Sequence, residues 1–210
     1  MNRIGTVIFD LGGVLVDYSI EAAVEAFRRL GFMHFDEMVD PYRQSGILLA
    51  LEKGEVPPQA LYDEISRSVG RPVPSEAIDA ALCSFLLDIP DDKLDMLLAL
   101  RRRGFRLFML SNTNPIMMGH MKNVVFRKQG LTVDDYFDRL FLSYEMGMAK
   151  PDPEIFEAMV LRTGIDPSRS LFIDDSPSNV ETARALGFRT YLAAEHEDFR
   201  SLFDDCEPVG

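Results

Sequence analysis

Short runs of apolar residues alternate with segments of helical periodicity along most of the chain. Five of these runs have the length and composition of buried strands. They cover Ile4–Phe9, Phe105–Leu110, Leu140–Leu142, Leu171–Ile173 and Thr190–Leu192. The segments between the later runs carry apolar residues three and four positions apart, as amphipathic helices do. Strands separated by helices of this length predict an α/β fold with a doubly wound, mainly parallel sheet.

Residues 17–86 show a different pattern, because no run in this stretch is predicted to be a strand. Amphipathic helical pieces are predicted at Ile20–Leu30, Phe35–Gln44, Pro58–Val69 and Ser75–Leu86. A helical block inserted after the first strand indicates a small domain placed over the sheet. We therefore expect a core of residues 1–16 and 87–210 and an all-helical cap of residues 17–86. The last residues, Asp204–Gly210, are expected to be frayed.

Composition and charge narrow the classes of function. The chain is 47% hydrophobic and 27% charged, which is typical of a globular protein. Its formal net charge of −12 disfavours nucleic acid and anionic membranes as partners. No segment approaches the roughly 20 apolar residues of a membrane span, and no signal-peptide pattern is present. Cys83 and Cys206 have no metal-binding or redox spacing. We expect a cytoplasmic protein with two inert thiols.

Three of the predicted strands end abruptly in polar residues. The first ends at Asp10, the second at Ser111-Asn112 and a later one at Asp174-Asp175. Taken singly, each has a structural explanation, because Asp, Ser and Asn are common in turns and helix caps. Ligands of open α/β sheets bind at the carboxyl ends of the strands, however. Three polar ends on strands that can be neighbours therefore indicate a site.

The charges of these residues predict what the site binds. Asp10, Asp174 and Asp175 would bring three negative charges together, and close carboxylates either take up a proton or recruit a cation. Oxygen ligands of this kind favour Mg²⁺, which keeps several waters and bridges to phosphate. Lys150 offers a positive charge suited to the remaining phosphate oxygens. The pattern predicts a magnesium ion and a small phosphorylated metabolite. Mg²⁺ and Lys150 would allow that anion to bind although the protein surface is acidic.

Four motifs resemble those of the haloacid dehalogenase-like superfamily in their order and spacing. They are Phe9-Asp10-Leu11-Gly12-Gly13-Val14-Leu15, Leu110-Ser111-Asn112, Lys150-Pro151-Asp152-Pro153 and Ile173-Asp174-Asp175-Ser176. The resemblance covers essentially the whole chain and implies a phosphatase with a Rossmann-like core and a helical cap. The segments 110–114, 142–147 and 174–179 resemble more narrowly the bacterial α-D-glucose-1-phosphate phosphatase branch. That narrower resemblance implies a sugar phosphate as substrate.

The resemblance also implies the catalytic roles. Asp10 would be the nucleophile that forms an aspartyl-phosphate, and a carboxylate with a reference pKa of about 3.9 needs no activating base. Ser111 and Lys150 would bind the oxygens of the transferring phosphoryl group. Backbone N–H groups of the Gly12-Gly13 turn and of Asn112 would assist them. Most of the catalytic effect would be charge stabilisation and positioning.

A magnesium site follows from the same resemblance. The ion would be held by Asp10, by the backbone carbonyl of Gly12 and by Asp175. Asp174 would lie nearby or act through water.

One position departs from the superfamily's usual phosphatase pattern. That pattern places a second aspartate, the general acid and base, two residues after the nucleophile, where this chain has Gly12. A general acid contributes ~10²–10⁴ in rate, so a phosphate-binding protein with weak or no turnover is an alternative function. The glucose-1-phosphatase branch has the same Asp-x-Gly, and an anomeric oxygen leaves with less protonation. We expect glucose 1-phosphate to be preferred over glucose 6-phosphate; the reverse would assign the proton to Asp17, Glu52 or His34.

The cap adds Glu52 as a candidate substrate-binding residue. The segment 51–55 resembles a recurring cap segment, in which Gly54 would allow a turn that approaches substrate and Glu52 would orient that turn. The plainer interpretation of Glu52 is a solvated helix end. A haloacid dehalogenase is a further alternative, but that branch works without metal and usually lacks the paired Asp174-Asp175.

Overall fold

The computed structural model describes residues 2–40, 44–194 and 196–208. The strands are β1 (Asn2–Ile4), β2 (Thr6–Phe9), β3 (Arg106–Ser111), β4 (Arg139–Leu142), β5 (Ser170–Asp174), β6 (Arg189–Leu192) and β7 (Cys206–Pro208). The first helices are α1 (Ile20–Leu30), α2 (Gly46–Glu52), α3 (Pro58–Val69), α4 (Ser75–Cys83) and α5 (Asp91–Arg102). The later ones are α6 (Pro115–Asn123), α7 (Val133–Tyr136), α8 (Ser143–Met146), α9 (Pro153–Thr163) and α10 (Pro177–Ala185).

Five parallel strands form the central sheet in the order β4-β3-β2-β5-β6. Within this sheet the chain enters at the central β2, moves outwards through β3 and β4, and then returns to the other side of β2 for β5 and β6. This confirms the predicted doubly wound fold. Phe9 of β2 is paired with Ile173 of β5, so Asp10 and Asp174 follow side by side where the strand order reverses. Ligands of such sheets bind at this reversal point.

Alternate residues of the central strands enter different hydrophobic layers. On β2, Val7 and Phe9 pack in the layer that contains Leu97 of α5. Ile8 between them packs in the opposite layer, with Phe156 of α9. Helices therefore cover both faces of the sheet, which is why the consecutive residues Val7, Ile8 and Phe9 of β2 are all apolar. The buried sheet holds the strand ends in a fixed relation to one another.

The helices α1–α4 share a hydrophobic cluster that includes Phe27, Leu51, Ile65 and Ile78, and Met117 of α6 in the core also packs in it. Among the described residues of the stretch 17–86, β-pairing is confined to an isolated bridge between Tyr18 and Leu86. The two connections to the core run side by side there. Because nearly all of this cluster comes from the cap helices, it supports the division into a core of residues 1–16 and 87–210 and a cap of residues 17–86, which we keep as a proposal.

The two ends of the chain differ from the prediction. The first apolar run is not one strand, because it is interrupted at Gly5 into β1 and β2. The prediction of a frayed C-terminus is wrong for Cys206–Pro208, which forms β7 and pairs with β1. The Arg103 guanidinium donates to the carbonyls of Phe203 and Cys206 at 2.8 and 2.6 Å and helps to hold this segment. Val209 and Gly210 lie outside the described residues.

The helix predicted over Phe35–Gln44 is also wrong over most of its length. Only Phe35–Glu37 forms a short 3₁₀ turn, and residues 41–43 lie outside the described residues. Proline at position 41 disfavours helical conformation for the residue before it, a signal that the apolar periodicity obscured. The helix of this region is α2, which begins at Gly46 and ends at Glu52. The four later strands begin and end within one residue of the prediction.

Candidate active site

A cavity of about 80 Å³ lies at the carboxyl ends of the central strands, between the core and the cap. From the core it is lined by predicted site residues, namely Asp10, Gly12, Ser111, Asn112 and Asp175. From the cap side it is lined by Tyr18, Gln44, Glu52 and Phe85. The structure therefore brings the polar strand ends and the cap candidate into one cavity. A larger groove of about 800 Å³ between α4 and α6 holds none of the strand-end residues.

Lys150 occupies the space between two carboxylates beside this cavity. Its Nζ lies 2.9 Å from Asp10 Oδ1 and 2.6 Å from Asp174 Oδ2, and its side chain is 1% exposed. Burial alone would lower the pKa of Lys150, but the attraction of Asp10 and Asp174 outweighs it and raises that pKa above its ordinary value. Lys150 is therefore a fixed positive charge at the base of the site.

The position of Lys150 is set by the side chain of Asn112. The Asn112 amide donates to the Lys150 carbonyl at 2.8 Å and accepts from the Lys150 N–H at 2.8 Å. Thr113, the residue after Asn112, is held by the side chain of Ser143. The Ser143 hydroxyl accepts from the Thr113 N–H at 2.9 Å and donates to the Thr113 carbonyl at 3.0 Å. These two pairs of hydrogen bonds fix the segment that follows Ser111, which is buried beside the cavity. The structural role of the Asn112 side chain was missed in the sequence.

Asp174 is wholly buried and all its hydrogen bonds are internal. Its Oδ1 accepts from the Ser176 N–H and from the Asn179 amide, both at 2.9 Å, and its Oδ2 accepts from Lys150. These contacts suit a residue that supports the site from behind. Sequence reasoning missed Asn179, although it ends one of the segments that carry the family resemblance.

Asp10 and Asp175 face the cavity. Burial raises the pKa of Asp10 to about 7, the charges of Asp174 and Asp175 add to this effect, and Lys150 opposes it. Burial and the charge of Asp174 raise the pKa of Asp175 to about 6. Asp10, Asp174 and Asp175 each offer an oxygen within 4.8 Å of the others. Three carboxylates around one ammonium leave an excess of negative charge, which a divalent cation with a preference for oxygen ligands fits.

The Gly12-Gly13 turn passes very close to Asp175. Gly13 has φ of +72°, and a Cβ at this position would lie 2.1 Å from Asp175 Oδ2. Its N–H donates to the Val16 carbonyl at 2.8 Å, so the predicted use of that N–H by phosphate would require this bond to break. A Cβ at Gly12 would be in ordinary contact, 3.8 Å from Tyr18. Gly13 is therefore the position at which only glycine leaves room for Asp175.

Glu52 is not a solvated helix end, because only 9% of it is exposed. It is the last residue of α2 and lines the same cavity as Asp10. Burial raises the pKa of Glu52 to about 8; the charge of Asp10 raises it further and that of Lys150 opposes the shift. The interpretation as a surface residue is therefore wrong.

The turn that follows Glu52 rests on the core. A Cβ at Gly54, whose φ is +66°, would lie 2.2 Å from the Tyr144 carbonyl oxygen. The Lys53 ammonium lies 3.6 Å from the Asp152 carboxylate. The close approach that the sequence predicted at Gly54 is thus made to core backbone. This contact positions Glu52 over the site.

Gln44 is a cap residue of the cavity that no sequence pattern indicated. Its Nε2 donates to the Asp40 carbonyl at 3.0 Å. Its Oε1 is buried and has no hydrogen-bond donor among the residues that the structure describes. A buried acceptor of this kind needs a donor, because an unpaired polar atom costs free energy.

Comparison with known proteins agrees with this geometry. The family model described as haloacid dehalogenase-like hydrolase matches residues 4–187. A D-ribitol-5-phosphate phosphatase of Bacteroides thetaiotaomicron is 36% identical over 197 residues, covering 94% of this chain and 95% of the relative. A Mycobacterium tuberculosis phosphatase is 28% identical and covers 90% of this chain and 87% of the relative.

Solved structures agree as well. A haloacid dehalogenase family enzyme of Bacteroides thetaiotaomicron, in complex with magnesium and inorganic phosphate, matches with a TM-score of 0.90 and 42% identity over 95% of this chain and 99% of that one. An L-2-haloacid dehalogenase of Xanthobacter autotrophicus, at 20% identity and a TM-score of 0.62 over 96% of this chain and 82% of that one, shares the fold alone. The four motifs, the doubly wound sheet and these matches lead to one conclusion. The chain belongs to the haloacid dehalogenase-like hydrolase family.

Proposed function

We propose that this protein hydrolyses small sugar or polyol phosphates with magnesium, through an aspartyl-phosphate on Asp10. The chain is a phosphoric monoester hydrolase and magnesium is its cofactor. Both predictions from the sequence are confirmed, since a phosphatase and a magnesium and phosphate complex match nearly the whole chain. The substrate and the role of each residue are what we propose.

The observation that carries the proposal is the close group of Asp10, Lys150, Asp174 and Asp175 at the reversal point of the sheet. Magnesium would be held by Asp10, by Asp175 and by the Gly12 carbonyl, with Asp174 behind them. All of these donors are oxygens, which is the donor set that magnesium prefers. When bound, the ion supplies positive charge that offsets the charge of the phosphoryl group.

The protein groups then have distinct tasks. Asp10 in its ionised form attacks phosphorus, and the neighbouring Lys150 favours that form. Lys150 is already held in place by Asp10 and Asp174, so its charge is available to a phosphoryl oxygen with little rearrangement. Ser111 is 2% exposed beside the same cavity and offers a hydroxyl donor. The reaction cleaves the bond between phosphorus and the ester oxygen.

A hydroxyl-rich substrate is supported by two observations. The phosphatase that this chain matches over 95% of that phosphatase's length is named for D-ribitol 5-phosphate, a polyol phosphate. Gln44 Oε1 on the cap wall has no donor among the described residues, and a substrate hydroxyl would supply one. The preference for glucose 1-phosphate that the narrower resemblance implied stays a prediction. The named relative's substrate is instead an ester of a primary alcohol.

The second candidate, a phosphate-binding protein with weak or no turnover, is favoured by Gly12 alone, whereas the family and the phosphatase relative favour the hydrolase. Within the described residues no helix has the length and apolar character to span a membrane. The cytoplasmic location and the lack of nucleic-acid partners stay predictions.

Assays of the purified protein with p-nitrophenyl phosphate and ribitol 5-phosphate test the proposal. We expect turnover with Mg²⁺, loss of turnover with a chelator, and loss in Asp10→Asn. The matched control, Asp205→Asn, changes an exposed aspartate outside the cavity and should retain activity. Turnover that survives the chelator or Asp10→Asn would overturn the mechanism. Phosphate binding without turnover of either ester would favour the second candidate.

A further inference from the structure

We propose that Glu52 of the cap is the general acid and base of this phosphatase, in the place of the aspartate that position 12 lacks. Glu52 would protonate the departing oxygen and then deprotonate the attacking water. This inference rests on the proposed function, because it assigns a residue to two steps of that reaction.

Glu52 lies at the boundary between the active-site cavity and the apolar interior of the cap. On one side it lines the cavity that contains Asp10 and Ser111. On the other it lines a smaller cavity of about 30 Å³ whose walls include Leu48 and Leu82. A carboxyl group in such surroundings either has a charged partner or stays protonated.

Glu52 has no such partner in the parts of the chain that the structure describes. The neighbouring Lys53 is paired with Asp152, and Lys150 lies between Asp10 and Asp174. The charged groups that act on Glu52 are Asp10, which disfavours its ionisation, and Lys150, which favours it. Burial outweighs Lys150 and raises the pKa of Glu52 to about 8, so the carboxyl carries a proton at neutral pH.

Its place at the end of α2 favours the same state. A negative charge at the C-terminus of a helix is repelled by the helix dipole. Asp10 lies across the cavity, where its charge favours the protonated form of Glu52. The group facing the nucleophile is therefore a proton donor when the substrate arrives, as a general acid has to be.

The other candidates from the sequence are placed elsewhere. The imidazole of His34 is 65% exposed and pairs with Glu37 at 2.9 Å. The carboxylate of Asp17 lies 3.1 Å from His196 Nδ1 and lines a different cavity, with Lys93. Of the three cap candidates, only Glu52 lines the cavity that contains Asp10.

The reaction would proceed in two steps. A carboxylate oxygen of Asp10 forms a bond to phosphorus while the bond to the ester oxygen breaks. The electron pair stays on that oxygen, which takes the proton of Glu52 and leaves as an alcohol. The Glu52 carboxylate then accepts a proton from water as the water oxygen bonds to phosphorus. The bond between phosphorus and Asp10 breaks, and inorganic phosphate, ionised Asp10 and protonated Glu52 result.

The leaving group provides the sharpest test, because a nitrophenolate departs without a proton and a phenolate benefits from one. Stopped-flow measurements with p-nitrophenyl phosphate and phenyl phosphate separate phosphorylation of Asp10 from release of phosphate. In Glu52→Gln we expect p-nitrophenyl phosphate to give a burst of about one nitrophenolate per enzyme at nearly the native rate. Steady turnover should then fall by ~10²–10⁴, since water loses its base. With phenyl phosphate the burst itself should slow by at least about tenfold.

Two further variants separate acid–base chemistry from folding and binding. Glu52→Asp keeps a carboxyl group with shorter reach, and it should turn over phenyl phosphate faster than Glu52→Gln. Glu55→Gln changes an exposed glutamate three residues away and should match the native enzyme on both esters.

Three results would overturn the inference about Glu52. They are unchanged steady turnover in Glu52→Gln, an equal loss of the burst phase on both esters, and equal rates for Glu52→Asp and Glu52→Gln. If the native enzyme with Mg²⁺ hydrolyses neither ester, the proposed function fails as well. Turnover by the native enzyme together with any of these three results refutes the role of Glu52 alone.

Discussion

Gly13 lies so close to Asp175 that a Cβ on Gly13 would stand 2.1 Å from Oδ2 and 2.5 Å from Cγ of that carboxylate. Gly13→Ala therefore has to displace Asp175, one of the proposed magnesium ligands. We expect magnesium affinity, measured by isothermal titration calorimetry, to fall by about tenfold or more. Local strain of this kind costs roughly 1–3 kcal/mol, and a loss of about 1.4 kcal/mol in binding free energy lowers the affinity tenfold.

Gly130→Ala is the matched control for this change. Gly130 has φ of +76°, close to the +72° of Gly13, but a Cβ there would have no neighbour within 4 Å. Both variants share the backbone strain of an alanine at positive φ, about 1–2 kcal/mol. Only Gly13→Ala collides with a carboxylate. Equal magnesium affinities in the two variants would remove Asp175 from the proposed metal site.

Lys150 is expected to contribute to both stability and catalysis. Lys150→Ala leaves Asp10 and Asp174 buried without their cation, and breaking a buried pair in this way costs about 3–5 kcal/mol. Lys150→Arg keeps the charge but changes its geometry, so it should lower kcat/KM less than Lys150→Ala does. Denaturant unfolding and steady-state kinetics measure the two effects. Lys122→Ala, at a half-buried lysine outside the cavity, is the control. Equal small effects of both Lys150 variants would show that Lys150 has only a minor role.

The stability of the metal-free protein should fall as pH rises. Asp10 and Asp175 have pKa values raised from 3.8 to about 7 and about 6, and that of Glu52 is raised from 4.5 to about 8. Between about pH 4 and pH 8 the folded state therefore holds more protons than the unfolded state. The free energy of unfolding then decreases with pH through this window. Calorimetry in a chelator should show Tm higher at pH 5 than at pH 8.

Magnesium should reverse this trend, because it competes with protons for the same carboxylates. The rise in Tm on adding Mg²⁺ should be larger at pH 8 than at pH 5. Glu52→Gln should flatten the chelator profile by removing one of the three groups. A metal-free Tm that increases from pH 5 to pH 8 would contradict the raised pKa values of these three carboxyl groups.

The contact between Gly54 and Tyr144 should matter for catalysis as well as for folding. Gly54→Ala would place a Cβ 2.2 Å from the Tyr144 carbonyl oxygen and lift the cap turn that carries Glu52. A displacement of about 1 Å can cost about 10²-fold in rate, so we expect a large fall in kcat/KM. Gly70→Ala is the control within the cap, because Gly70 has φ of +76° and open space at Cβ. If both variants lost stability and activity alike, the contact would have no catalytic role.

The positions of Asp10, Ser111, Asp174 and Asp175 were predictable from the sequence. Buried strands have a local signature, and the polar residue that ends each strand is visible in the same short stretch. Parallel strands then place their carboxyl ends at one edge by topology alone. The family motifs carry the same information, so the fold class and the candidate nucleophile, Asp10, could be predicted together.

The sequence did not reveal contacts that join distant parts of the chain. The C-terminal segment forms β7 because Cys206 pairs with Asn2, and neither stretch carries a strong strand signal by itself. Gly54 approaches Tyr144, which lies on the other side of the cap–core boundary. Periodicity describes which face of an element is apolar, but it does not identify the element that will cover that face.

The tertiary structure alone decided which polar residues are buried away from water and which protein groups become their partners. Lys150 is bound by Asp10 and Asp174, which are remote from it in sequence, and it is held there by Asn112. In the sequence, Glu52 is a charged residue at the end of a short helix. In the fold it is a buried acid that lines the same cavity as Asp10. The pKa of a carboxyl depends on its burial and on nearby charges, and long-range packing determines both.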